Sequence, residues 1–256
     1  PDVLHEKHGS NPVILLPARG KPRTLARLIR QEMHSAMKQT EIEQARFNMI
    51  EQQVRPWDVL DQQVLDTMNT TPREHFVPER YRSLAFADTN IPLGHEQVMM
   101  APKLEGRLLQ ALAITPADRI LEIGTGSGYL TACLASLGRQ VTSIDIMPDF
   151  TTTAGDKLEA LNIRNVTLET TDAAGGIEGD ERYDAIAVTG SLPLLQQQFQ
   201  RNLEIGGRLF IITGSLPIME ASLITRIDEN NWASEVLLET CIPPLLNASK
   251  PQEFIF

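Results

Sequence analysis

From residue 119 onward the chain alternates between short apolar runs and stretches whose apolar residues recur every three or four positions. The runs at 119–123, 140–146, 165–171, 183–189, 208–213, 221–227 and 235–241 have the length of strands. The stretches at 129–136, 150–161 and 192–201 have helical spacing, and Gly138 closes the first of them. Gly206 and Gly207 read as a turn before the fifth strand. Asp228, Glu229, Asn230 and Asn231 join the last two runs, as in an antiparallel edge hairpin. Such alternation with short connections predicts an α/β fold with a doubly wound, mostly parallel seven-stranded sheet and an antiparallel C-terminal edge hairpin.

The first part of the chain has a different pattern. From 38 to 77 the spacing is helical, with Ile42, Ala45, Met49 and Ile50 on one face and Glu43, Gln44 and Gln52 on the other. Pro56 interrupts it, and a second amphipathic helix is expected over 59–68. Thr71 and Pro72 read as an N-cap followed by proline at the first helical position. The stretch 85–102 sustains no period and reads as an ordered loop with short extended pieces. Helical spacing returns at 104–112, so the expected architecture is an N-terminal helical cap ahead of the sheet. Trp57 reads as a packing residue of that cap.

Residues 1–36 carry six basic and three acidic side chains, with scattered Gly and Pro, against a net charge of −10 for all 256 residues. They read as upstream sequence or a loose basic extension, with the biological start at Met37. Residues 37–256 then form a single domain, with cap and substrate loop over 37–103 and the cofactor-binding sheet over 104–256. The acidic balance argues against tight nonspecific nucleic-acid binding, which rests on phosphate neutralisation. No apolar run approaches the ~18 residues of a membrane span. Two cysteines, Cys133 and Cys241, without Cys/His ligand spacing, give neither a disulfide framework nor a metal site, and fit a reducing cytoplasm.

One stretch concentrates the candidate chemistry. Ile120, Leu121 and Ile123 lead into a loop with Gly124, Gly126 and Gly128, and a helix follows. A dinucleotide fingerprint needs a third glycine where Tyr129 stands, and no Gly-Lys-Ser/Thr follows for a phosphate loop. The pattern is E-x-G-x-G-x-G, beginning at Glu122. It resembles motif I of the S-adenosylmethionine-dependent methyltransferases. In an open sheet, ligands bind beyond the carboxyl ends of the strands. Glu122, Asp145 and Asp172 fall at three such ends. Asp145 suits both ribose hydroxyls of an S-adenosylmethionine cofactor, and Asp172 with Ala173 suits its adenine. Gly124, Thr125, Gly126, Ser127 and Gly128 admit its amino-acid portion, and Glu122 acts through the loop's backbone geometry.

Taken together, L-E-I-G-T-G-S-G-Y at 121–129, T-P-R-E-H-F-V-P at 71–78, Y-D-A-I-A-V-T at 183–189 and G-G-R-L at 206–209 resemble the protein-L-isoaspartate O-methyltransferase family, from about residue 45 to about residue 245. The resemblance implies a Rossmann-like fold and methyl transfer to the carboxylate of L-isoaspartyl or D-aspartyl residues in damaged proteins. The ester then collapses to a succinimide. A carboxylate is already ionised at pH 7, so no base is needed and no catalytic side chain is assigned.

The departure lies in the loop before motif I, where the family reads D-x-x-L-P-I-G-x-G-Q-T-I-S-x-P. Here Gln97 and Pro102 stand, but the family's second glycine is Glu96, its threonine Val98 and its active-site serine Met100. Glu96 is expected to repel a carboxylate if it faces the pocket. Met99 is open to packing or pocket roles, and His95 reads as a surface loop residue. The segment at 241–245 matches the family's closing R-F-V-P-L only loosely. The alternatives are therefore a methyltransferase with another acceptor, or a non-catalytic S-adenosylmethionine-binding adaptor. Expected partners are isoaspartyl proteins, with no nucleic acid and no membrane, and the chain is expected to be a monomer.

Overall fold

The computed structural model describes residues 37–250, in two compact units divided between Gln44 and Ala45. Of the first unit, residues 37–44 are described and are helical. The reading of residues 1–36 lies outside the described residues.

The second unit opens on helical residues 45–49 (α1), which pass into a π turn at Ile50–Val54 and a 3-10 turn at Arg55–Trp57. Asp58 stops it in a left-handed conformation, φ 59°. Trp57 stacks under the Lys103 ammonium, 4.3 Å from the ring centre. The next helix, α2, is Gln62–Thr70 rather than 59–68. Val59 is buried ahead of it and Leu60 is exposed, because the Asp61 carboxylate caps the Gln63 and Val64 N–H groups and so fixes the start. Thr71 ends α2, and Pro72 itself occupies the N-cap position of α3 (Arg73–Phe76) with no side-chain cap, which corrects the expected Thr71 cap.

A small hairpin follows, β1 (Ile91–Gly94) with β2 (Gln97–Met99), and then α4 (Pro102–Leu112). The main sheet contains β3 (Arg119–Ile123), β4 (Gln140–Asp145), β5 (Val166–Thr170), β6 (Tyr183–Leu192), β7 (Leu203–Ser215), β8 (Ile218–Arg226) and β9 (Trp232–Thr240). Their order is β5-β4-β3-β6-β7-β8-β9. The first five are parallel, and β8 and β9 run antiparallel at one edge, as expected. The order reverses between β3 and β6, so the strand ends there diverge and open a crevice. Helices α5 (Tyr129–Leu137), α6 (Pro148–Ala160) and α7 (Gln197–Arg201) carry three of the crossovers, and loop residues 171–182 carry the one from β5 to β6.

Two sequence expectations fail in the second half. Leu192 belongs to β6, fully buried, and the following helix is only five residues long. Gly206 and Gly207 lie inside β7, where the register jumps between the Tyr183–Leu203 and Ala185–Arg208 pairs. Gly206 has φ +84°, so the strand bends there instead of reversing. Period-two alternation divides the core between the two faces. Phe210 and Ile212 pack with the cap side, and Leu209 and Ile211 with the opposite side.

Candidate cofactor and acceptor site

A cleft opens beyond the carboxyl ends of β3, β4 and β6. Eight of the nine cofactor residues predicted from sequence line it. The exception is Gly128, which caps α5 with φ +83° and lies against α6, where an added Cβ would stand 2.8 Å from the Ala154 Cβ. It shapes the loop instead of touching the cleft.

The glycine loop is held from several sides. Gly124 N–H donates to Ile144 O at 2.7 Å, and Thr189 Oγ1 donates to Gly124 O at 2.7 Å. Lys157 Nζ donates to Ser127 O at 3.2 Å and to Phe76 O at 3.0 Å, tying loop to cap. Asp145 ends β4 and accepts one backbone N–H on each oxygen, from Gly126 and Met147, both at 2.9 Å. A carboxylate oxygen has two acceptor positions, so each retains one. Burial raises the Asp145 pKa, and those N–H groups oppose the rise. Asp172 accepts Ala174 N–H at 3.0 Å and the Asn247 amide at 2.8 Å.

Glu122 sits one residue before the end of β3 and is fully buried. Its Oε2 accepts the Thr131 and Ser143 hydroxyls, and Ser143 in turn accepts Thr125 Oγ1. Its Oε1 has no hydrogen-bond partner among the described residues. Burial pushes its carboxyl up to about 8, against the pull of the two hydroxyls. The folded chain then holds a proton that the unfolded chain releases near pH 4.5, so this group lowers stability as pH rises from about 5 to about 8. Chemical denaturation across that range is expected to show the decline, and Glu122→Gln to flatten it.

The opposite wall is the β1–β2 hairpin with the residues that follow it. Gln97, Val98, Met99 and Met100 line the cleft, and Met99 and Met100 are also buried in the core. Glu96 and Pro102 do not line it. Glu96 is exposed at the hairpin turn, so the expected clash with an acceptor carboxylate does not arise. His95 and Glu96 both have positive φ, 50° and 59°, which accounts for a glycine at that position in the resembled pattern. His95 Nε2 lies 2.9 Å from Asp149 Oδ2, fastening the turn to α6. Pro102 opens α4. The segment after β9 closes the roof: Ser191 N–H donates to Pro243 O, Leu245 N–H to Ser191 O, and Gln97 Nε2 to Pro244 O at 3.3 Å.

Sequence reasoning missed Glu105 and Arg73. Glu105 lines the cleft from α4, 2% exposed, and pairs with Arg73, which is fully buried. Arg73 also donates to Ala85 O at 2.9 Å and Met100 O at 2.7 Å. Burial outweighs the guanidinium and pushes Glu105 up to about 7. The signal was available: Glu105, Leu108, Leu109 and Leu112 share one face of the helix, so an acid stands on its apolar side.

Glu105, Glu122, Asp145 and Asp172 thus line the cleft, with no Lys, Arg or His among its lining residues. Acid side chains with no cation beside them suit a ligand with hydroxyl and amine donors and disfavour a pyrophosphate. Residues 44–247 match the family described as protein-L-isoaspartate(D-aspartate) O-methyltransferase (PCMT). The chain belongs to this family. Among protein-L-isoaspartate O-methyltransferases, that of Gloeobacter violaceus is 37% identical over 206 residues, 80% of this chain and all of its own. Protein-L-isoaspartate O-methyltransferase 1 of Rhodopseudomonas palustris is 36% identical over 202 residues, 78% of this chain and 82% of its own. Solved structures share the fold. One protein-L-isoaspartate O-methyltransferase has a TM-score of 0.67 at 22% identity, covering 79% of this chain and 65% of its own. A Plasmodium falciparum protein assigned to the same activity, solved with S-adenosyl-L-homocysteine, has a TM-score of 0.66 at 21% identity, covering 80% and 97%.

The matched stretch contains this chain's hairpin, sheet and the segment after β9 up to residue 247.

Proposed function

We propose that the chain transfers the methyl group of S-adenosylmethionine to the carboxylate of L-isoaspartyl or D-aspartyl residues in damaged proteins. The observation that carries this reading is the convergence of four strand-end and cap acids, a glycine loop and an apolar acceptor wall on one cleft, in a chain of this family. S-adenosylmethionine supplies a methyl carbon activated by its sulfonium. The acceptor oxygen forms the new C–O bond, the C–S bond breaks, and its electron pair stays on sulfur.

The chain's own residues position and desolvate. The two remaining acceptor sites of Asp145 suit a ribose diol, and Ala173 with the backbone after Asp172 suits an adenine edge. Val98, Met99, Met100 and Leu245 give the acceptor side apolar walls that exclude water. Gln97 is the side-chain amide of that wall. One of its N–H groups is used on Pro244 O, and the other is available to an acceptor carboxylate. An in-line displacement by an ionised carboxylate asks chiefly for such positioning.

The test is transfer of labelled methyl to an isoaspartyl peptide and to its aspartyl isomer. Base-labile ester on the isoaspartyl peptide alone is the expected result; cofactor binding with no turnover on it would overturn the reading. Met100→Ser with Val98→Thr adds two hydroxyl donors to the wall. Its kcat/KM for the peptide is expected to rise about threefold to tenfold, the range of one neutral hydrogen bond.

No helix among the described residues is long and apolar enough to cross a membrane. A cytoplasmic monomer completes the proposal. Two free cysteines support the cytoplasmic part, and light scattering checks the monomer.

A further inference from the structure

The segment T-P-R-E-H-F-V-P at 71–78 carries part of the family resemblance, yet none of its residues lines the cleft. Its centre is α3, a single helical turn in which Arg73, Glu74 and Phe76 are buried. One turn of helix has little stability of its own. Side-chain bonds to other elements hold it instead. Glu74 accepts from Arg46 at 2.7 Å, which ties the turn to α1. Arg73 lies 4.7 Å over the Tyr129 ring, and Phe76 meets the same ring edge-on at 5.8 Å. Tyr129 is the first residue of α5, directly after the glycine loop.

The two ends of this turn reach opposite walls of the cleft. At its start, Arg73 Nη2 donates to Met100 O at 2.7 Å, and Met100 lines the acceptor side. At its end, Phe76 O accepts from Lys157 Nζ at 3.0 Å, and the same ammonium donates to Ser127 O at 3.2 Å. Ser127 lines the cofactor side. Burial alone shifts the Lys157 ammonium, downwards, with no carboxylate among the described residues to compensate it. What the cation supplies there is hydrogen: its N–H groups make charge-assisted bonds to two carbonyls at once. An apolar side chain would fill the space without joining them.

We propose that α3 is a strut that fixes the acceptor wall relative to the cofactor loop, with Arg73 and Lys157 as positioning residues at its two ends. This rests on the methyl-transfer reading above. In-line displacement needs oxygen, methyl carbon and sulfur aligned at near contact, and a misplacement of about 1 Å costs on the order of a hundredfold in rate. Met100 and Ser127 stand on different elements. The strut joins them through one rigid turn and touches neither ligand. It gives the R-E-H-F sequence a use that none of its side chains shows at the cleft.

The test pairs transfer of labelled methyl to the isoaspartyl peptide, read as kcat and KM, with calorimetry of S-adenosyl-L-homocysteine. All measurements are made below every variant's thermal midpoint. Lys157→Met keeps the length and removes the donors. It is expected to lower kcat about tenfold while affinity for S-adenosyl-L-homocysteine stays within about threefold. Lys157→Arg restores donors and is expected to keep kcat within about threefold of the unaltered chain. Arg73→Lys keeps a cation beside Glu105, but one ammonium cannot also span to Ala85 O and Met100 O, and kcat is expected to fall about tenfold. Both substitutions break the same link, so the double variant is expected to lose no more than about twofold beyond either single one. Losses that multiply to about a hundredfold would make the two ends independent and overturn the proposal. A fall in ligand affinity that matches the fall in kcat would make Lys157 a support of the cofactor loop alone and overturn it too, as would an unchanged kcat in Lys157→Met. Should Lys157→Met not fold, Lys157→Gln takes its place; should Arg73→Lys not fold, the Lys157 variants decide alone. If the unaltered chain transfers no methyl to the peptide, the methyl-transfer reading fails first, and the proposal with it.

Discussion

Arg73→Met is expected to cost about 3–5 kcal/mol of folding stability, measured as a shift in urea midpoint at constant slope. The guanidinium is fully buried and faces three acceptors: Glu105, Ala85 O and Met100 O. Removing it leaves a desolvated carboxyl without its countercharge and two carbonyls without that donor. Glu105 answers by protonating, since its pKa of about 7 is already high and rises further without the cation. The deficit therefore grows as pH increases through and above 7. The double variant Arg73→Met/Glu105→Leu removes both charges and is expected to recover part of the loss. Recovery is incomplete because the two carbonyls still lack their donor. A midpoint unchanged in the single variant would mean the pair does not hold the loop that ends in Met100.

Asp145→Ala is expected to weaken S-adenosyl-L-homocysteine about hundredfold in calorimetry. Two hydrogen bonds from ribose hydroxyls to a charged acceptor would be lost, at about 1.5–3 kcal/mol each less some compensation by water. The Gly126 and Met147 N–H groups also lose their acceptor, so the loop relaxes. Asp145→Asn separates the two effects. It keeps one acceptor for the loop and removes the charge, and it is expected to fall between the wild-type chain and the alanine variant. Unchanged affinity in both variants would remove the ribose assignment.

The middle of the sheet was legible because β3, β6 and the centre of β7 are buried on both faces and read as nearly continuous apolar runs. Topology alone then carries Asp145 and Asp172 to the crevice, so strand-end acids can be found from order and spacing. What depends on packing was not legible. Val59 and Leu60 fit the helical period, yet Asp61 decides where α2 begins. Gly206 has the composition of a turn, yet β7 passes through it with a bend. Glu96 looked like an intruder because spacing says nothing of direction, and its positive φ carries it to the exposed turn. Glu105 needed the cap's packing on the sheet before its place in the cleft could be seen, although its position among leucines was a warning.

The closing segment bears on when the site comes into being. A nascent chain that has emerged as far as β7 already contains the glycine loop, the four acids and the hairpin wall. It still lacks Pro243, Pro244 and Leu245, which supply the contacts to Ser191 and Gln97 that roof the cleft. Most of the cleft is thus encoded well before its roof can close, and a nick in the stretch after β9 is expected to expose the acceptor side to water and to free Asp172 from Asn247.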